Sequence, residues 1–261
     1  MSSTSNLLDA FKRRVLEETV IVERVDPSGA PVTPRGLKWA TSRASQALVE
    51  RGIAPPWSMS REECQAYWAS RVEGDNEPSS YATKRTEIVD FLNDFWGPEI
   101  EPGKSVLEVG CNAGTNLNRL RELGFDDLAG IEINANALDE LRRVYPELAA
   151  EAKLINSPIE SALTELPDGA VDVVFSMAVL IHLHPTSVDV FADMARVARF
   201  VCVIELESAS NSYVYPRRYR RVFERLGCTE LREATITRRG YPQVSPEYDG
   251  YVARLFRTPA G

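Results

Sequence analysis

The stretch from Ser105 to Leu120 reads SVLEVGCNAGTNLNRL and determines the fold of the region around it. The short apolar run SVLEV predicts a buried strand, and TNLNRL has the periodicity of a helix. Gly110 and Gly114 stand between them and permit a tight turn and a close approach of the helix start. Glu108 is an acid inside the apolar run. A strand, a glycine turn and a helix in this order indicate a ligand site at the carboxyl end of the strand.

Strands and helices alternate on both sides of this unit. The predicted strands are 105–109, 127–133, 153–155, 171–175, 200–206, 229–237 and 250–257. The predicted helices of the same region are 83–96, 114–123, 135–144, 160–165, 186–196 and 216–226. Such alternation is typical of a parallel sheet covered on both faces, whereas the last two strands follow each other directly. We therefore predict an α/β fold with a doubly wound, mostly parallel seven-stranded Rossmann-like sheet and an antiparallel edge strand.

The N-terminal third of the chain lacks this alternation. Helical patterns cover about 6–20, 37–52 and 61–72, and turn-forming stretches separate them. This part of the chain contains three tryptophans, Trp39, Trp57 and Trp68. We predict a helical N-terminal extension or lid over residues 1–82, followed by the α/β domain over residues 83–261.

Composition and charge limit the classes of function. The formal net charge of −8 and the pI near 5.1 disfavour a partner bound through its phosphates, such as nucleic acid. The sequence has no apolar run of transmembrane length and no signal-peptide pattern, so we expect a cytoplasmic protein without membrane contact. The scattered cysteines and the two histidines show no metal-ligand spacing. A monomer and a homodimer are equally compatible with these features.

The loop after the first strand differs from a dinucleotide-binding loop. That loop has the pattern G-x-G-x-x-G, in which the second glycine lets a pyrophosphate approach the backbone. In GCNAG this position is Asn112, which carries a side chain. Glu108 adds a negative charge that disfavours a pyrophosphate. The residues therefore favour a nucleoside-bearing cofactor without phosphate.

Four segments together resemble class I S-adenosylmethionine-dependent methyltransferases. VLEVGCNAG is similar to the family's first motif, E/D-x-G-x-G-x-G, and DLAGIEINANAL, INSPIESAL and DVVFSMAVLIHLHP follow it in the expected order. The resemblance implies that residues 83–261 bind S-adenosyl-L-methionine and that both oxygens of Glu132 accept hydrogen bonds from the ribose hydroxyls. The cofactor-binding residues that it implies are Glu108, Gly110, Cys111, Asn112, Gly114, Asn116, Glu132, Ile133, Ser157, Ile159, Ser176 and Met177.

Residues for chemistry and for acceptor binding complete the predicted site. His182 is the predicted catalytic base, because it follows the fourth strand and imidazole titrates near neutrality. His184 is interpreted as a loop or cap residue, and the loop RGYPQVSPEYDG at 239–250 is expected to border the substrate. Aromatic faces attract a sulfonium, and guanidinium groups bind anions. The predicted lid or substrate residues are Trp68, Tyr81, Arg85 and Arg217.

These features predict methyl transfer from S-adenosyl-L-methionine to an oxygen or nitrogen atom of a small-molecule acceptor. GCNAGTNL, VLIHLHP and the IELES-to-YPRR passage are also similar to methylases associated with pseudaminic acid biosynthesis, which favours a sugar or another anionic metabolite. Two alternatives remain open at this point. One is a nucleotide-dependent oxidoreductase, and the other is a non-catalytic protein that retains the cofactor-binding fold.

Overall fold

The computed structural model describes residues 46–55, 58–71, 78–82, 86–207 and 214–259. Several predictions fall outside these residues: the helix 6–20, most of the helix 37–52, and the residues Trp39, Trp57 and Arg85. The side chain of Tyr81 is also outside the description. Among the described helices, none combines the length and the apolar character that crossing a bilayer requires.

A seven-stranded sheet forms the centre of the described chain. Its strands in chain order are β1 (Val106–Val109), β2 (Leu128–Glu132), β3 (Lys153–Asn156), β4 (Val171–Met177), β5 (Ala198–Glu205), β6 (Thr229–Thr235) and β7 (Val252–Arg257). The order across the sheet is β3-β2-β1-β4-β5-β7-β6. Strands β1 to β5 pair in parallel, and β7 runs antiparallel between β5 and β6. The strand order reverses between β1 and β4, where sheets of this kind bind ligands at the carboxyl ends.

Helices cover both faces of the sheet. They are α1 (Arg61–Ala69), α2 (Pro78–Ala82), α3 (Glu87–Trp96), α4 (Thr115–Glu122), α5 (Ala135–Val144), α6 (Pro146–Glu151), α7 (Ile159–Thr164), α8 (Asp189–Val197) and α9 (Tyr219–Arg225). The apolar sides of α3, α4 and α5 pack on one face, where the fully buried Trp96 meets Phe125 and Phe175 at ring-centroid distances of 5.7 Å. Helices α7, α8 and α9 pack on the other face. Burial on both faces explains why the central strands are almost continuously apolar.

The predicted fold class is confirmed, including the antiparallel closure of one sheet edge. The predicted helix at 135–144 has the observed bounds, and the strands differ from their predicted bounds by a few residues at most. Helix α6 was not predicted; Pro146 occupies its first turn, so the chain starts a second helix directly after α5. Helix α9 begins at Tyr219 rather than at residue 216, since Pro216 and Arg217 belong to the preceding extended segment.

Described residues before α2 contact the segments that follow β2 and β5. Helix α1 starts with a capping box, in which Ser60 and Glu63 satisfy each other's backbone N–H groups. Beyond its end, the carbonyl of Arg71 accepts a 2.6 Å hydrogen bond from the Asn134 side chain after β2. Before it, Glu50 forms two 2.6 Å hydrogen bonds with Arg218. These contacts hold α1 over the carboxyl ends of β1, β2 and β4.

Candidate functional site

The loop after β1 has the conformation of a glycine-rich loop although its middle residue is asparagine. Gly110, Asn112 and Gly114 all have left-handed backbones, with φ values of 76°, 46° and 76°. Asparagine tolerates this region better than other side-chain-bearing residues, and its Oδ1 accepts a 2.7 Å hydrogen bond from the Ala113 N–H. A Cβ atom at Gly110 would lie 2.5 Å from Val179 Cγ2, so a side chain there would displace the neighbouring loop. Asn112 therefore adopts the backbone conformation that the glycine of the motif would supply.

Glu132 closes the same loop from the end of β2. Its Oε2 accepts a 2.9 Å hydrogen bond from the Asn112 N–H, and its Oε1 accepts one of 2.8 Å from the Asn134 N–H. The side chain is 8% exposed and lines the cavity described below. Burial raises the pKa of Glu132, and the backbone hydrogen bonds counteract this. A carboxylate has about four lone-pair sites, so Glu132 can accept a further hydrogen bond.

Glu108 is a second acid beside the loop, 1% exposed within β1. Its Oε1 accepts a 2.7 Å hydrogen bond from Asn116 Nδ2 on α4, whereas its Oε2 has no hydrogen-bond partner among the described residues. Burial raises the pKa of Glu108 to about 8, the Asn116 bond lowers it, and the charge of Glu132 raises it further. An orphaned buried carboxyl oxygen is a position where a cationic ligand group would be bound strongly.

A cavity of about 330 Å³ opens at the carboxyl ends of β1, β2 and β4. This volume lies within the range of small-molecule sites, roughly 300–1,000 Å³. Its lining on the sheet side includes Gly110, Cys111, Asn112, Asn116, Glu132, Ile133, Ile159 and Met177. The opposite wall comes from α1 and two loops and includes Arg61, Trp68, Arg71, His182, Glu247, Tyr248 and Tyr251. One continuous space therefore connects the glycine loop with His182.

His182 lies at the end of a short 3-10 turn, Leu180–His182, that follows β4. Its ring is half-buried and stacks at a tilt on Trp68 of α1, with 4.4 Å between the ring centroids. His184 is buried more deeply, and its Nδ1 lies 2.8 Å from the Thr186 hydroxyl. Burial lowers the pKa of His184, which agrees with a structural role in the loop.

Five of the predicted site residues whose side chains the structure describes do not line the cavity, and one of them, Glu108, reaches its wall only through Asn116. Ser176 is fully buried and its hydroxyl donates to Glu205, away from the cavity. Arg217 is also fully buried, so it is not available to an acceptor. The Ser157 hydroxyl bonds the Pro158 carbonyl, and neither Ser157 nor Gly114 lines the cavity. Gly114 instead allows the start of α4 to pack closely against Leu141, because a Cβ atom there would lie 2.4 Å from Leu141 Cδ1.

Asn134 and Tyr251 are among the cavity residues that sequence reasoning missed. Asn134 caps α5 through its Oδ1 and holds the Arg71 carbonyl, and its position as an asparagine just before a helix was the available signal. Tyr251 lies next to the predicted 239–250 loop, at the start of the last strand. That loop does reach the cavity, through Glu247 and Tyr248.

Comparison with known proteins agrees with this geometry. Residues 106–200, which contain β1 to β4, the glycine loop, Glu132 and His182, match a family model described as a methyltransferase domain. Residues 106–200 are therefore a methyltransferase domain. The cofactor of the domain is S-adenosylmethionine. A search of curated proteins finds no match to the sequence.

Solved structures share the fold of the methyltransferase domain at low sequence identity. Geranyl diphosphate C-methyltransferase from Streptomyces coelicolor, solved with Mg2+, geranyl diphosphate and S-adenosylhomocysteine, has 12% identity and a TM-score of 0.54, covering 76% of this chain and 96% of its own. A protein described as a putative sarcosine dimethylglycine methyltransferase from Galdieria sulphuraria has 15% identity and a TM-score of 0.51, covering 66% and 84%. The (4+2)-cyclase SpnF has 15% identity and a TM-score of 0.54, covering 67% and 82%. The fold is therefore shared by proteins with different reactions.

Proposed function

We propose that the protein transfers a methyl group from S-adenosylmethionine to an oxygen or nitrogen atom of a small-molecule acceptor. The observation that supports this proposal is the single cavity that joins Glu132 and the glycine loop to His182 and Trp68. A cofactor held by its nucleoside at one end of such a space presents its reactive end to the other. The cavity is too small for a folded macromolecule to enter, which favours a compact acceptor.

The residues present fit the cofactor. Glu132 offers hydrogen-bond acceptors to the ribose hydroxyls, and the Oε2 of Glu108, which lies behind the lining residue Asn116, suits the ammonium at the amino-acid end. Ile133 and Ile159 give an apolar lining suited to the adenine, and Met177 lines the same cavity. When bound, S-adenosylmethionine supplies a methyl group on a positively charged sulfur, which is the electrophile of the reaction.

His182 and Trp68 are the groups proposed to act on the acceptor. A nitrogen of His182 accepts the proton that an attacking hydroxyl or amine loses, and the ring orients that group by hydrogen bonding. Trp68 covers one side of the imidazole. Its face also favours a positive charge nearby.

The acceptor half of the cavity indicates which groups recognise it. Arg61 and Arg71 line the wall, whereas none of the described residues in the arginine-rich segment around α9 does so. In that segment Arg218 is paired with Glu50 and Arg220 with Glu224. An acidic group on a sugar or another metabolite would therefore be bound by Arg61 or Arg71 rather than by the segment that the sequence indicated.

Calorimetric titration with S-adenosylhomocysteine, NAD and NADP is the first test. We expect micromolar-range binding of S-adenosylhomocysteine, weakened at least tenfold in Glu132→Ala and unchanged in Glu101→Ala, a matched change at the exposed surface. Binding of NAD in preference to S-adenosylhomocysteine would favour the oxidoreductase alternative and overturn the proposal.

The acceptor class is tested with S-adenosylmethionine labelled on its methyl group. A cell extract is divided by ultrafiltration into small molecules and macromolecules, and each fraction is incubated with the enzyme. We expect the label in the small-molecule fraction, and its loss with His182→Ala. Label in the macromolecular fraction alone, or no transfer to either, would contradict the proposed function.

A further inference from the structure

The turn that carries His182 is not stabilised by regular secondary structure. It spans residues 178–184 and starts at Ala178, a non-glycine residue with a left-handed φ of 57°. Such a conformation persists only where surrounding contacts fix it. Backbone hydrogen bonds join the turn to Ile204 and Tyr215. The side-chain contacts come from two buried residues, Glu205 and Arg217.

Glu205, the last residue of β5, binds the N-terminal end of the turn. Its Oε1 accepts hydrogen bonds from the N–H groups of Val179 and Leu180, at 2.9 and 2.8 Å, and from the Ser176 hydroxyl at 3.0 Å. Its Oε2 accepts a 3.2 Å hydrogen bond from the Ile181 N–H. Glu205 is fully buried. These are the N–H groups that a short helical turn leaves unpaired, and a carboxylate is the group that satisfies them best.

Arg217 binds the opposite end of the same turn. Its Nη2 donates to the carbonyls of Leu183 and His184, at 2.8 and 3.3 Å, and its Nη1 donates to the Leu180 carbonyl at 3.1 Å. The guanidinium is fully buried and lies 5.2 Å from the centre of the Phe191 ring. A rigid fork with several donors can hold several carbonyls at once, which the single ammonium of lysine cannot do.

We propose that Glu205 and Arg217 are positioning residues that hold the 178–184 turn at its two ends and thereby fix the His182 ring against Trp68. The anion meets the N–H end and the cation meets the carbonyl end, so both favour the same conformation of the turn. The structural part of this inference stands on these contacts, and its catalytic part rests on the proposed function of His182.

The test observes His182 directly and needs no acceptor. The chain has two histidines, so an imidazole NMR spectrum has two sets of signals, which His182→Gln assigns. Stacking on Trp68 changes the chemical shift of the His182 signal, and the Trp68→Ala variant gives the chemical shift of the unstacked ring. In Glu205→Gln, an amide N–H₂ group replaces one carboxylate oxygen, so that a hydrogen-bond donor faces a backbone N–H donor of the turn. We expect the His182 signal of this variant to move toward the unstacked position or to split.

Glu207→Gln is the matched control, because Glu207 follows the same strand but bonds Arg254 and the Tyr219 N–H instead of the turn. It should leave the His182 signal in place. Arg217→Lys should perturb the signal like Glu205→Gln, and it decides the question if Glu205→Gln fails to fold. An unchanged His182 signal in the folded variants would overturn the positioning role.

Kinetics separate this inference from the proposed function. S-adenosylhomocysteine affinity should stay within about threefold of wild type in Glu205→Gln, since the glycine loop and Glu132 are intact. With an acceptor identified, kcat should fall roughly 10- to 100-fold, as expected for a misplaced catalytic group. Adding Glu205→Gln to His182→Ala should cost little more than His182→Ala alone. Additive effects would contradict positioning through His182, whereas failure to bind the cofactor would contradict the proposed function and leave the NMR result unaffected.

Discussion

Replacing Glu108 with glutamine is expected to stabilise the protein while weakening its binding of the cofactor. The carboxyl has an ordinary pKa of 4.5, and burial raises it to about 8 in the folded protein. Between these values the unfolded chain is ionised and the folded protein keeps its proton. Each pH unit in this interval therefore lowers the free energy of unfolding by about 1.4 kcal/mol.

The magnitude follows from the width of that interval. The loss of stability begins near pH 4.5, reaches about 3 kcal/mol at pH 7 and is complete, at about 5 kcal/mol, near pH 8. Glutamine removes the loss because it is neutral in both states, and its oxygen can still accept the hydrogen bond from Asn116. Urea unfolding should show Glu108→Gln more stable than wild type by about 3 kcal/mol at pH 7 and by less than about 1 kcal/mol at pH 5.

The same substitution should weaken S-adenosylhomocysteine binding, since an amide cannot pair with the ligand's ammonium. A hydrogen bond between charged groups contributes about 1.5–3 kcal/mol, so the loss is roughly 10- to 100-fold when measured calorimetrically near pH 8. Wild-type affinity should rise with pH up to that point, because binding requires Glu108 to release its proton. Glu101→Gln, at the exposed surface, should change neither property. A stability difference independent of pH, or undiminished binding by Glu108→Gln, would refute the reasoning.

Two further predictions concern the glycine loop, and urea unfolding checks both. Asn112→Gly should be tolerated, whereas Asn112→Val should lower the free energy of unfolding by about 1–2 kcal/mol, because a β-branched residue is strained at a φ of 46°. Equal stability of the two variants would contradict a left-handed backbone at Asn112. Gly110→Ala should lose about 2–4 kcal/mol, since its Cβ would lie 2.5 Å from Val179, and adding Val179→Ala should restore part of the loss. Gly169→Ala, with a similar φ of 64° but open space around it, should cost only about 1 kcal/mol; a similar cost for both alanines would exclude the contact with Val179.

The glycine loop and Glu132 could be predicted from sequence because their roles are local. A turn between a strand and a helix requires particular backbone conformations, and residues at the carboxyl ends of neighbouring parallel strands necessarily lie near one another. Ser176 and Met177 were both assigned to the cofactor, although consecutive strand residues point to opposite faces. Only Met177 lines the cavity. The alternation of side chains along β4 would have separated them.

Arg217 shows what local reasoning cannot supply. Its position in a run of arginines indicated a charged surface, yet it is fully buried against a turn more than thirty residues away in the chain. Nothing in the sequence around Arg217 or around His182 specifies that contact, because it depends on how β5 and α9 pack. The role of Glu205 is hidden for the same reason: at the end of an apolar strand, an acid resembles a boundary residue.

Three buried carboxyl groups differ in how completely the protein itself supplies their hydrogen bonds. Glu205 has all its hydrogen bonds within the described chain, so the protein itself accounts for its burial. Burial raises the pKa of all three carboxyl groups, but Glu108 keeps an oxygen with no hydrogen-bond partner among the described residues, and Glu132 lines an open cavity. Groups that destabilise the free protein in this way are expected where a ligand satisfies them. The fold alone is shared with a cyclase. What supports methyl transfer is therefore that Glu132, the glycine loop and His182 line one cavity, with Glu108 hydrogen-bonded to Asn116 of the same wall.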